Sequence, residues 1–473
     1  MKRLFIIIVL LYAMPVSATS YFMSTSGNDA NAGTSSGVPW ASPNHAVNCG
    51  DTITAAAGTY TAAHMSSWGT VTCAGNNNVA WVQCVTFDAC KVTGTGVNAV
   101  TMSASYWGIQ GFEATSSNRA CFYVTPPNTS TNIHHIIIAN SIANGCANNG
   151  IAASNNGAAS FDYVVFIGDI AYNAATGSTF CATGITWYQP VAHDALAGTH
   201  LYAAGNFSYD NVDPATCSGH APTDGEGVLV DHMDGSGGGP AGPFAGQVVV
   251  QNNILLYNGL SGLGVGANSA GSSHANVYLK YNTTYGNGGG GSINQSICAE
   301  IWTSSAQNVT VTNNLSQATQ ATACTAHTYY VLEVFAGFSS ESWTTNYGYS
   351  AAGNNTGILG GGSFSSFGST NTFGTSPAFS NPTNPGAPSC GSAASVPACM
   401  STVISNFTPT ATGSTVYGYQ VPLGYSITDP LFPSWLCNVT LPAGLVTRGC
   451  GAPPTLGTSV GATVGVAGKT SVQ

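Results

Sequence analysis

The feature that most constrains this chain is a short strand that ends in asparagine and keeps returning. Three or four apolar residues, then Asn or Asp, then a polar turn closing on Asn-Gly, form His135-Ile136-Ile137-Ile138-Ala139-Asn140 with Asn144-Gly145. The same unit is read at Val164-Val165-Phe166-Ile167-Gly168-Asp169 with Asn173, and at Leu201 to Asn206. It continues at Val248 to Asn253 with Asn258-Gly259, at Val277 to Asn282 with Asn287-Gly288, and at Val309 to Asn314. A repeated strand with variable loops between is the signature of a solenoid, because one such unit cannot bury its apolar side until a neighbour stacks on it. Within each strand the alternation puts Val248 and Val250, or Val277 and Leu279, inside and Gln251 and Lys280 outside. The recurrent Asn suits a tight turn, where it tolerates a left-handed backbone and can bond its stacked equivalents.

Long amphipathic helical windows are missing, so the chain is read as all-β. The N-terminus reads as a secretory signal: Lys2-Arg3, an apolar run from Leu4 to Met14, and a small-residue cleavage site ending at Ala18. No later stretch approaches the roughly 20 apolar residues of a spanning helix. The fourteen cysteines are an even count in a chain expected to be exported, which points to disulfides. Near neighbours such as Cys84 and Cys90, Cys121 and Cys146, Cys181 and Cys217, Cys298 and Cys324, Cys390 and Cys399, and Cys437 and Cys450 are candidate pairs, with connectivity left open. Of seven basic residues, Lys2 and Arg3 lie in the signal, leaving five against seventeen acidic ones. That balance argues against DNA, RNA or anionic membrane surfaces as partners.

The opening Tyr21-Phe22-Met23-Ser24-Thr25-Ser26-Gly27-Asn28-Asp29, with Gly33-Thr34, Gly50-Asp51-Thr52-Ile53 and Ala57-Gly58-Thr59-Tyr60, resembles that of secreted proteins of the pectate-lyase-like superfamily. The resemblance covers roughly residues 21 to 350 and implies a right-handed parallel β-helix with N-terminal and C-terminal caps. By that analogy residues 19–60 are cap and first coil, and 61–350 the β-helix. Residues 351–450 form a Gly, Ser and Pro-rich region in which Val421 to Cys450, with Phe432 and Trp435, packs over the last coil as a cap. Residues 451–473 are expected to be a flexible tail.

Only 5% of the chain is charged, yet Thr223 to Gly235 carries Asp224, Glu226, Asp231 and Asp234, with His232 among them. Clustered carboxylates call for a cation, a proton in flight or a solvated turn. A second strand column aligns Gly184-Ile185-Thr186-Trp187-Tyr188 with Gly227 to Asp231, Gly262 to Gly266, Ala299 to Trp302 and Leu332 to Phe335. With Ile185, Val228, Leu263, Ile301 and Leu332 facing the core, the outer face is expected to carry Tyr188, Asp231, Gly266, Glu300, Trp302, Glu333 and Phe335. Coils stack about 4.8 Å apart, so Asp231 and Glu300 are expected about 10 Å apart, near the spacing of inverting glycosidases. Glu300 and Glu333 would suit the shorter retaining spacing.

These residues give a groove in outline, for a polysaccharide. Asp231 and Glu300 are the expected base and acid of hydrolysis, with Glu226 and Glu333 as further catalytic candidates. Gly264 and Gly266 leave a bare floor, and Tyr188, Trp302 and Phe335 offer flat surfaces beside His232. Asp224, Glu226, Asp231 and Asp234 are the candidate calcium ligands, since closely spaced carboxylates suit that hard cation. Polar residues on an outer β-helix face are also normal without function, and a one-residue slip would turn the glutamates inward.

Asp224-Gly225-Glu226-Gly227 further resembles the calcium turn of family-nine polysaccharide lyases, whose following coil supplies a lysine base. Here that coil, Ser261 to Gly266, has no lysine, and before residue 440 the mature chain offers only Lys91, Arg119 and Lys280. Two alternatives therefore stand beside the hydrolase: a calcium-dependent lyase with a base not identified, and a non-catalytic glycan-binding or adhesion protein. Neither a GxSxG elbow nor a phosphate-binding loop with its lysine occurs.

Overall fold

A computed structural model describes residues 18–73, 78–219, 221–235, 243–268, 275–289, 298–319, 328–336, 340–359, 364, 366–374, 376–407 and 431–439. The signal segment read at residues 1–17 and the tail read at 451–473 lie outside these residues.

Strands run from Ser20–Met23 to Thr372–Phe373 and stack into three long sheets of 11, 11 and 9 strands, each bonded to its counterpart one coil away. All their ladders are parallel. Consecutive strands fall in different sheets, so the chain winds as a parallel β-helix, right-handed as parallel crossovers require. The six Asn-bearing units are all strands of the first sheet, among them Ile133–Ala139, Gln247–Gln251 and Asn276–Lys280. The aligned column is the third sheet, with Ile185, Val228, Leu263, Ile301 and Leu332 in register as expected.

The stretches between Asn and Asn-Gly, read from sequence as turns, instead carry the second sheet: Ile142–Cys146, Ile254–Leu256 and Thr283–Tyr285. Ile254–Leu256 and Thr283–Tyr285 have three residues each, too few to show alternation, and Ile142–Cys146 contains the Asn144-Gly145 pair that reads as a turn. Inward residues of the three sheets form one core from Met23 to Trp343.

Two buried amide ladders tie the coils. In the first, Asn206, Asn253, Asn282, Asn314, Asn346 and Asn371 follow Asp169, each asparagine but the last donating through Nδ2 to Oδ1 of the next at 2.9–3.0 Å. In the second, Asn211 donates to Asn258 and Asn258 to Asn287, at 2.8 and 2.9 Å. The residue before the ladder Asn takes the left-handed backbone: Asn252, Tyr281, Asn313 and Thr345 all have φ between 54 and 57°. Double asparagines thus divide the labour, the first turning the chain and the second bonding the stack.

Disulfides join Cys49 to Cys73, Cys84 to Cys90, Cys121 to Cys146, Cys181 to Cys217 and Cys390 to Cys399. Cys298 and Cys437 are also disulfide-bonded, and their expected partners Cys324 and Cys450 lie outside the described residues.

The C-terminal chain decides which faces stay open. Phe379, the helical residues Val396, Val403 and Ile404, and the helix caps Met400 and Phe407 cover the outer face of the second sheet. Phe432, Trp435, Leu436 and Val439 cover the outer face of the first, against Ile137, Val165, Tyr202 and Val249. Sequence reading expected this second segment over the last coil; it lies along the flank, because those outward residues are apolar and need a partner. Lys280 and Gln251 are accordingly buried, at 7% and 6% exposure, although they point outward.

Candidate functional site

The third sheet keeps an outward face that the described C-terminal chain does not cover, and a groove of about 630 Å³ lies on it. Its floor is a column of stacked outward residues, Tyr123, Ala152, Thr186 and Leu229, in register. A parallel column places Tyr188 beside Asp231. Asn98, Asn148 and Asn149 line one wall, and Arg119 and Phe180 stand together, the guanidinium 5.1 Å from the ring centroid. Among the described residues, Asp224 and Asp231 are the acidic ones of its lining. Two further depressions of about 570 and 540 Å³ continue it, sharing Asn98 and Arg119, then Ser66 and Thr101. From Thr101 to Leu229 the floor spans four coil intervals, about 19 Å along the axis.

Asp231 ends the strand Val228–Asp231 and is about a fifth exposed; its Oδ1 accepts from Nδ1 of His232 at 2.7 Å. The left-handed backbone at His232 (φ 54°) turns its ring back towards Tyr188, with centroids 5.0 Å apart. The bond to Asp231 holds the His232 pKa above its ordinary value, and burial followed by Asp231 and Asp224 raises that of Tyr188.

Behind the groove lie two buried carboxyls. Glu226 is fully buried, neither of its oxygens meets a donor from another described residue, and burial with Asp224 nearby raises its pKa well above normal. Asp213 accepts from the Ala182 N–H at 3.0 Å through Oδ1, while Oδ2 is unpartnered; burial, then Asp224, pushes its pKa up to about 8. Asp213 and Glu226 offer the oxygen donors that a hard cation takes, but with Asp224 their oxygens do not all lie within 4.8 Å of one another. The four expected ligands Asp224, Glu226, Asp231 and Asp234 do not converge. Among the described residues, the group whose ligand atoms lie within 4.8 Å of one another is Cys181, Asp213 and Cys217, with both cysteines joined as a disulfide.

Glu300 is not on the outer face. It is fully buried, with Oε2 accepting Nδ2 of Asn287 at 2.6 Å and Oε1 accepting the Asn287 N–H at 3.1 Å. The preceding coils hold glycine at this level, and a Cβ on Gly262 would come within 3.0 Å of Asn287 Nδ2. Position 300 therefore faces the ladder, and its carboxylate takes the acceptor role that a further Asn would fill. The expected pair of Asp231 and Glu300 is thereby overturned.

Glu333 does stand on the outward column after Leu229, Gly264 and Trp302, but it is fully buried and accepts the Cys298 N–H at 2.8 Å. Trp302 is 5% exposed, its Nε1 donates to Ser261 Oγ, and its ring lies within 2.5 Å of where a Gly264 side chain would begin. The glycine floor is thus filled by the indole, which offers no free face to a sugar. Phe335 is half-buried, three coils from Asp231 in its column. Tyr188, Asp224 and Asp231 are brought together, His232 touches them, and Asp234 is half-buried two residues further on.

Sequence reading missed Arg119, Tyr123, Phe180, Thr186 and Asp213. Thr186 was within the aligned strand, and extending that alignment two coils back reaches Tyr123. Asp213 carries no local signal.

The fold is similar to that of pectate lyase Pel9A. That similarity has a TM-score of 0.43 at 17% identity, over 77% of this chain and 83% of that one. The structure of XylC with xylose gives 0.43 at 9%, over 72% and 70%. A GH136 lacto-N-biosidase from Eubacterium ramulus gives 0.38 at 11%, over 75% and 68%. No protein-family model and no curated protein matches the chain.

Proposed function

We propose that this protein is an exported carbohydrate-active enzyme that holds a polysaccharide along the third sheet and cleaves its glycosidic bonds beside Asp231. One observation carries the reading: the sheet face that the described C-terminal residues leave open is also where the groove and the carboxyl groups of Asp224 and Asp231 lie. Amides and hydroxyls along the walls suit sugar hydroxyl groups, and Tyr123 and Tyr188 offer ring faces. Asp231, polarised by His232, and Asp224 are the pair assigned to general acid and base work. Glu226 is too buried to touch a substrate. With Asp213 it would form the buried side of a calcium site, whose charge would offset the repulsion that Asp224 exerts on both.

A second reading has one observation in its favour. Arg119 is the cation in the groove lining, so an acidic sugar could be bound there and the calcium-dependent lyase stays in contention. Incubation with neutral and acidic polysaccharides, with and without chelator, separates the two. New reducing ends without ultraviolet absorbance support hydrolysis, and chelator-sensitive absorbance supports elimination. Asp231→Asn should lower turnover at least a hundred-fold while leaving circular dichroism unchanged. Binding without any cleavage on a broad panel would overturn both enzymatic readings.

A further inference from the structure

On the first sheet, away from the groove, a cluster of histidines has no part in the chemistry above. A single column of rings runs through four coils, Tyr106 on His135 at 5.0 Å, His135 on Tyr163 at 4.5 Å and Tyr163 on His200 at 4.0 Å. Tyr106, His135 and Tyr163 all have left-handed backbones, with φ of 65, 56 and 48°. In an ordinary strand His134 and His135 would point to opposite faces. The turn at His135 instead brings both rings to one side, with Nδ1 atoms 2.8 Å apart and ring planes 80° apart. A left-handed β-strand residue carries a backbone cost, so the convergence has been kept against strain.

We propose that His134 and His135 form the core of a binding site for a borderline divalent transition-metal ion, zinc, copper or nickel, with His193 as third ligand. Two imidazole nitrogens at this separation need only a slight opening to grip one ion at about 2.0–2.1 Å each. His193 lies over His134, its ring stacked 3.7 Å away; in that position its nitrogens do not converge with the pair, but it is exposed, and turning its side chain would bring one to the ion. Its backbone is fixed by an N–H bond to Asp162 Oδ2 at 2.6 Å, which keeps the imidazole within reach. The column fixes His135 from both sides, and Trp435 packs edge-on against it at 4.9 Å. Such a site would fasten the chain between Tyr188 and His200, which leaves the groove and returns to the first sheet.

The test uses the tag-free mature chain, titrated calorimetrically with zinc chloride, beside His134→Gln and His193→Ala. The expected result is one equivalent bound with micromolar affinity, at least ten-fold weaker in His193→Ala and lost in His134→Gln. Copper(II) bound at one equivalent should show nitrogen hyperfine structure in its electron paramagnetic resonance spectrum, diminished in the same variants. His193 is exposed, so its replacement leaves folding intact, and circular dichroism checks both variants. Absence of zinc binding at millimolar concentration, or unchanged affinity in either variant, overturns the site and leaves the pair as a hydrogen bond between neutral rings. The proposal is independent of the groove reading, since no polysaccharide enters the measurement.

Discussion

Glu300 shows how much one residue's surroundings decide. Its carboxyl ends the second ladder in a dry interior, and burial raises its pKa from 4.5 to about 8 in spite of the Asn287 bonds. Between those values the folded chain binds a proton that the unfolded chain has released, so this group's contribution makes stability fall as pH rises from 4.5 to 8. Glu300→Gln mimics the neutral acid. The variant should match the parent near pH 5 and exceed it near pH 8 by on the order of 3 kcal/mol in urea titrations. Parallel curves for the two proteins would show that Glu300 is ionised throughout. Nothing in Ala299-Glu300-Ile301 announces this role, because strict alternation sends position 300 outward; the ladder that captures it lies thirteen residues back at Asn287. Asp231 was legible for the opposite reason, since its strand keeps the alternation to its last residue.

At the scale of single elements, the asparagine ladders were visible as a repeated letter, while their bonding was only an expectation. Asn282 shows what each rung holds: Oδ1 accepts two bonds from Asn253, and Nδ2 donates to Asn314 and to the Val250 carbonyl. Asn282→Ala should strand those buried groups and cost roughly 3–5 kcal/mol, read as a lower denaturation midpoint with an unchanged slope. The same change at exposed Asn128 should cost under about 0.5 kcal/mol. The third sheet's register was legible where its aligned strands, from Ile185–Tyr188 to Tyr330–Phe335, are four to eight residues long; the second sheet's three-residue strands, such as Thr283–Tyr285, were not. Trp302 illustrates a further limit. Alternation gives its direction correctly, yet the emptiness at Gly264 is what draws the ring down and closes its face.

For the whole molecule, the C-terminal chain is part of the wall. Among the described residues Trp435 meets His135 and Tyr163 edge-on, and Phe432 meets Tyr202. Trp435→Ala should cost roughly 3 kcal/mol and quicken proteolysis near residue 435 before the coils themselves open, as mass spectrometry of early fragments would show. Composition pointed to a covering segment here, but the flank it would choose depends on which outward strand residues are apolar. That property belongs to separate coils, from Trp81 to Val249, and is not collected anywhere along the chain.

The ladders also give the solenoid an electrical direction. Backbone N–H groups of each coil donate to the Oδ1 of the next, from Asn206 through Asn346, so every amide oxygen faces the earlier coil and every dipole points the same way. Aligned dipoles add, as they do along a helix, with the negative pole towards the N-terminal end. The carboxyls at the two poles differ accordingly. Asp169, at the oxygen end of its ladder, keeps one oxygen unpartnered, whereas Glu300 stands at the N–H end of the other, accepting two bonds; burial raises the pKa of both. A stack of neutral side chains thus works as a built-in battery along the axis, one that reversing the order of the coils would turn around.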